Sequence, residues 1–273
     1  MAQEISSSEV NSHIQMPEFF LKRFENPHFN SFYSYDVCGD FIKKNGRASS
    51  TNTEIGYYST AVEQHLNQSI ETPLSVALLA LDKIDFEQPT ISIEVSHLDT
   101  IKEFAYSLIS RDPIAHKAMN DNLVISKIVF EITAQNTHDI MAIHGPEFAK
   151  EIGLFAEYTI SFLINKTNIP FVLPICGLLK TDMEFYYLPI SPNMAIIMMH
   201  KGDIHKYNSA NGIARFRIAD PEVLKSYNDY AFLTQVIRQW GYVVCNNRQE
   251  LDRLKLAHQT KIAQYSNDSK KKV

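Results

Sequence analysis

Residues 96–113 constrain the fold of this chain more than any other stretch. Leu98, Ile101, Phe104, Ala105, Leu108 and Ile109 recur at three- and four-residue intervals, one apolar stripe on a helix. Ser96 is placed to cap the first amides, and Asp99 suits the positive end of the helix dipole. Pro113 disfavours helical geometry at Asp112 and stops the element. Arg111 therefore stands at the exit of a buried helix, where a guanidinium can serve a pocket or cap carbonyls.

Around that helix the chain divides in texture. Residues 1–12 are polar and serine-rich, a frayed lead-in. Pro17 opens a short helix with Phe20, Leu21 and Phe24 on one face. Aromatic alternation at residues 32–37 and 41–44, about Cys38-Gly39-Asp40, predicts a β-hairpin. A polar loop fills 45–57. Thr60 and Glu63 have the spacing of a capping box, predicting a helix to about Ser69. Pro73 starts another over 74–81, apolar nearly all round and so central. Residues 123–134 fit strand or helix equally. A helix is predicted over 146–158. Short apolar runs then follow at 159–164, 171–173, 185–188 and 195–199, extended by 213–218, and they predict a mostly antiparallel sheet. Helices over 221–240 and 249–265 flank a last strand at 242–245. The expected architecture is α+β: a helical N-terminal half packed on a mostly antiparallel sheet in the C-terminal half. One domain is expected over 13–265, followed by a basic tail at 266–273.

The 273 residues are enough for one large domain, and 45% apolar content excludes wholesale disorder. The formal net charge of −5 gives no global field for nonspecific nucleic-acid binding. Lys270-Lys271-Lys272 is the one basic run, and a solvated tail is expected there in preference to a binding patch. Cys38, Cys176 and Cys245 lie far apart with no CxxC or metal spacing, and their odd number suits a reducing cytoplasm. No basic-then-apolar leader opens the chain, and no apolar run nears the roughly 20 residues that cross a bilayer. No membrane partner is expected.

Several stretches resemble a bacterial and fungal family known as domain of unknown function 4238. They are His13…Pro17-Glu18-Phe19-Phe20-Leu21-Lys22-Arg23-Phe24, similar to that family's His-x-x-Pro-x-(aromatic)-(aromatic)-Leu-x-x-Phe opening; the hairpin; Glu63 and Glu71; Arg111-Asp112-Pro113; Pro189-Ile190-Ser191-Pro192; and Asn228 in a late helix. Two departures stand out. His13 lies one residue further from the proline than in the family, with Ile14 in its usual place. Pro170-Phe171 is followed by Val172-Leu173-Pro174-Ile175, where the family carries Ser/Thr-Asp-Asn-Pro. If the family acts through that Asp and His, this chain has a degenerate site. The resemblance implies a role in mobile elements or defence.

The leading candidate site is His13, Glu63, Glu71 and Arg111. Eight residues separate the two glutamates, which on a continuous α-helix sets them about 80° apart, within reach of one pocket. A His, two carboxylates and an Arg can perform acid–base or phosphodiester chemistry, with the Arg on the phosphate. They can also form a buried ion-pair network that ties the N-terminal segment to the helices. Arg111…His116 also resembles the Arg-(four to six residues)-His signature of the helical HEPN ribonucleases, which makes His116 a binding candidate beside Asn228; the same spacing recurs at Arg23…His28 and Arg253…His258, as chance allows. His138 and His144 lack a metal-binding context, and no phosphate loop is present, so neither metal nor cofactor is expected. Ser191 is not in a nucleophile elbow.

Two functions are therefore expected. One is an intracellular, cytoplasmic bacterial effector of the defence or toxin kind, a nuclease or phosphodiesterase-like hydrolase acting on nucleic acid or nucleotide. The other is a noncatalytic binding or assembly protein, with a protein partner or as a homo-oligomer, in which the same residues are structural.

Overall fold

The computed structural model describes residues 11–88, 91–114, 134–181, 185–204 and 213–270. The chain enters through β1 (Asn11–His13) and α1 (Glu18–Lys22), then the hairpin β2 (Phe32–Asp36) and β3 (Phe41–Gly46). Asp40 takes the left-handed conformation in the hairpin turn, at φ 52°, which short polar side chains tolerate. The polar loop beyond carries β4 (Thr53–Ile55), which pairs antiparallel with β1. Asn11 and Ser12 are thereby in a strand and not in the lead-in.

Helix α2 (Thr60–Leu66) passes through a π turn, Asn67–Glu71, into α3 (Thr72–Leu81). Its cap is Ser59, whose side chain accepts from the Val62 amide, so the cap lies one residue before the expected Thr60. Helix α3 is apolar nearly all round but is buried on one side only: Leu74, Ala77, Leu78 and Leu81 are buried, while Val76 and Leu79 are exposed. Helix α4 (Val95–Ser110) starts after Glu94, which occupies the cap position without a side-chain cap bond; Ser96 is already inside the helix. Arg111 is its C-terminal cap residue, as Pro113 requires. Helix α5 (Ala134–Glu151) continues through Pro146, which was expected to open it. Residues 123–133 lie outside the described residues.

The apolar runs of the second half form β5 (Tyr158–Asn165), β6 (Leu173–Pro174), β7 (Leu179–Lys180), β8 (Tyr186–Ser191), β9 (Met194–His200) and β10 (Arg215–Ile218), followed by α6 (Pro221–Ile237), β11 (Tyr242–Cys245) and α7 (Arg248–Lys270). Two larger sheets result. One has the order β10-β5-β9-β8-β7, antiparallel except for β10 beside β5; the other, β3-β2-β11-β6, joins the early hairpin to the late strands. Helix α7 runs into the expected basic tail.

Strict alternation divides each central strand between two cores, because successive side chains leave a strand on opposite faces. Ile160, Phe162 and Ile164 of β5, Ile196 and Met198 of β9 and Val244 of β11 enter one core, with Phe20, Leu74, Leu78, Phe104 and Leu108 of the N-terminal helices. Leu163, Ile197, Val243 and Cys245 enter the other, with Phe232 of α6 and Leu251 and Leu254 of α7. Continuous apolar runs are what strands covered on both faces require. No helix among the described residues is long and apolar enough to cross a membrane.

Candidate functional site

The N-terminal segment is fastened across the end of α4. Gln15 is buried and its amide donates to the carbonyls of Leu108 (3.0 Å) and Cys176 (3.3 Å). Tyr58 donates to the Ile14 carbonyl at 2.9 Å. Arg111 donates from one terminal nitrogen to the His13 carbonyl at 2.7 Å. This threading sets His13 beside α2 and the π turn.

The π turn then decides where the glutamates point. It takes more residues per revolution than an α turn, so the separation expected on a continuous α-helix closes and Glu71 is drawn toward the face that carries Glu63. His13, Glu63 and Glu71 consequently line one open hollow of about 500 Å³, with Glu18, Phe19 and Lys22 of α1 and Gln64 and Asn67 completing the wall.

Arg111 is not in that wall. It is 1% exposed and sits behind it. Its guanidinium lies 3.4 Å from the Glu71 carboxylate and over the Tyr58 ring, 5.4 Å from the centroid. Burial works against its charge, and Tyr58 and Glu71 outweigh that, holding the guanidinium above its ordinary pKa. The expectation that Arg111 grips a phosphate is therefore corrected: the side chain is buried, its two terminal nitrogens donate to Glu71 and to the His13 carbonyl, and its Nε is buried without a partner.

Glu63 has the opposite environment. Burial pushes its pKa up, helped by Glu71, while a hydrogen bond from Ser12 and the charges of Arg111 and His13 oppose the rise. One of its carboxyl oxygens is buried without a hydrogen-bond partner. His13 hydrogen-bonds the Ala48 carbonyl through Nε2 at 3.0 Å. A carbonyl only accepts, so Nε2 carries the proton and Nδ1 keeps a lone pair in the neutral ring.

The remaining predicted residues do not join this group. Asn228 is fully buried in the other core; it accepts from the Val172 amide (3.1 Å) and donates to the Pro170 carbonyl (2.9 Å) and Glu250 (2.8 Å). His116 lies outside the described residues. Sequence reasoning missed Tyr58, Ser12 and Gln15, and no pattern around them could have disclosed contacts made over such separations. A larger hollow of about 1180 Å³ is lined by Arg23, Asn168, Ser191, Asn246 and Arg248 among others. Arg23 is locked to Asp82 at 2.7 and 2.6 Å and to the Ile190 carbonyl, and Arg248 pairs with Asp252. The carboxylates of this larger hollow are engaged as well, Asp82 by Arg23 and Glu25 by the Ala48 amide at 3.2 Å, whereas the smaller hollow brings carboxyls and an imidazole together.

The molecule is thus an α+β protein with a carboxylate–imidazole hollow braced by a buried guanidinium. It belongs to the family described as Protein of unknown function (DUF4238), whose model matches residues 15–235, most of the chain. Neither a curated relative nor a solved structure matches it.

Proposed function

We propose that the protein is a hydrolase of the bacterial defence or toxin kind that acts on a nucleotide or nucleic acid, with Glu63 as proton donor and Glu71 as its basic partner. The observation that carries this reading is the buried, unpartnered Glu63 oxygen in the wall that Glu63 shares with Glu71 and His13. A carboxyl whose proton burial holds more tightly, beside one that faces a guanidinium, is the division of labour acid–base catalysis uses. Arg111 is a positioning residue in this scheme: it orients Glu71 and holds the His13 main chain. Expression of the wild type in bacteria is expected to arrest growth and deplete a nucleotide or RNA pool, measured by mass spectrometry of extracts. Glu63→Gln, with unchanged folding, is expected to abolish both effects. Intact pools during wild-type expression would reject the reading.

One observation favours the second reading, a noncatalytic binding or assembly protein. Arg111 ties residues 98 positions apart, and both of its terminal nitrogens donate to protein groups. On that reading Glu63→Gln and Glu71→Gln alter stability alone.

A further inference from the structure

The side chains of the hollow carry the wrong sign for an anionic transition state. Its wall holds three carboxyl groups, Glu18, Glu63 and Glu71, against one ammonium, Lys22, and the His13 imidazole. That ammonium is paired with Glu18 at 2.8 Å. The guanidinium behind the wall is sealed in protein. Phosphodiester cleavage gathers negative charge on the phosphoryl oxygens and needs cations or donors aimed at them. Cleavage of a glycosidic bond gathers positive charge on the sugar ring, which carboxylates stabilise.

We propose that the bond broken here is the N-glycosidic bond of a nucleoside, or of a nucleotide whose phosphates point outward to solvent; this rests on the acid–base reading above. The hollow suits such a ligand. Its volume falls within the usual range for small-molecule sites, roughly 300–1,000 Å³. Phe19 offers an aromatic surface for a base, and the Gln64 and Asn67 carboxamides offer donors and acceptors to base edges or ribose hydroxyls.

The chemistry balances without a further reagent. The bond between the anomeric carbon and the base nitrogen breaks, and its electron pair leaves with the base. Glu63 gives the base a proton. Water adds through oxygen to the anomeric carbon and passes a proton to Glu71. Transfer of that proton to Glu63 through solvent restores the starting state.

Leaving-group dependence tests this directly. The purified protein is incubated with adenosine, guanosine, cytidine and uridine, with nicotinamide riboside, and with an RNA oligonucleotide plus magnesium. Nicotinamide departs from a cationic glycoside and needs no proton. We expect base release from at least one of the four nucleosides and from nicotinamide riboside. Glu63→Gln is expected to slow nucleoside hydrolysis about 100-fold or more, in the range assigned to a general acid, and nicotinamide riboside hydrolysis only about threefold or less. Glu71→Gln is expected to slow both. Equal losses on both leaving groups in Glu63→Gln overturn the assignment of the proton donor. Oligonucleotide cleavage without base release overturns the glycosidic proposal and leaves the acid–base reading standing. No turnover of any substrate by the folded wild type overturns both.

Discussion

Arg111 donates to the main-chain carbonyl of His13 at 2.7 Å, so a guanidinium at the end of one helix holds the strand that presents the imidazole. Removing it orphans that carbonyl, unpairs Glu71 and empties a fully buried volume. Breaking a buried pair from one side costs about 3 kcal/mol or more. For a chain of this size Arg111→Ala is expected to lower Tm by about 6–12 °C, measured by circular dichroism. Arg111→Lys is expected to recover little of this, because an ammonium does not reproduce the planar fork that reaches two partners. A loss under about 2 °C would show that the fastening is not structural.

Glu63 gives a pH signature of stability. Its folded pKa is raised above the usual 4.5, with burial as the largest cause. The sign follows: the contribution is fully present below about pH 4.5 and is lost as pH rises through the folded value, because the fold then holds a poorly solvated carboxylate. Glu63→Gln is permanently neutral. Its Tm is expected to exceed that of the wild type at pH 8, with the difference shrinking below pH 4.5. Parallel Tm–pH curves for the two proteins would contradict the buried-carboxyl assignment.

The legible parts of this fold are those whose patterns lie within a few neighbouring residues. The stripe from Leu98 to Ile109 specified α4, and the aromatic alternation about Cys38-Gly39-Asp40 specified the hairpin. The caps at Ser59 and Glu94 were each displaced, because neighbouring polar residues can all cap and the turn geometry selects one. Strands β1 and β4 are three residues each and mostly polar, so they show no apolar alternation and depend on each other for existence. The π turn uses residues that an α-helix accepts equally well, yet it is what draws Glu71 toward Glu63. Arg111 was identifiable as a helix-exit cation, and a buried ion-pair network was one of its two readings; its partners were not legible, since Tyr58 and the His13 carbonyl arrive from distant segments.

Asn228 anchors the other core. Its side chain accepts from Val172 and donates to Pro170 and Glu250, all within buried surroundings. Asn228→Ala leaves the Val172 amide and the Pro170 carbonyl unsatisfied and is expected to cost about 2–3 kcal/mol. Asn228→Asp removes the donor and puts a second carboxylate against Glu250, which is 5% exposed and otherwise held by Arg253. It is expected to be worse than alanine at neutral pH and to regain stability in acid, where the introduced carboxyl takes a proton. Denaturant unfolding at two pH values measures both. An aspartate variant as stable as wild type at pH 7 would mean that the donor side of this amide is dispensable.

Helices α4 and α5 meet where Gly145 lies against Ser110. A Cβ added at Gly145 stands 2.4 Å from the Ser110 Cβ and 3.2 Å from its Oγ, closer than two carbons can approach. Gly145→Ala must therefore push the helices apart, at about 1–3 kcal/mol. Ser110 directly precedes Arg111, so the same push bears on the guanidinium that braces the hollow. Ser110→Gly is expected to be mildly destabilising alone, about 0.5 kcal/mol from helix propensity, with loss of its bond to the Ser107 carbonyl. In combination it removes the atoms that clash, so the double variant is expected to be more stable than the sum of the single losses, by about 1 kcal/mol or more. Additive losses in that cycle would mean that α5 does not press on α4 at this contact.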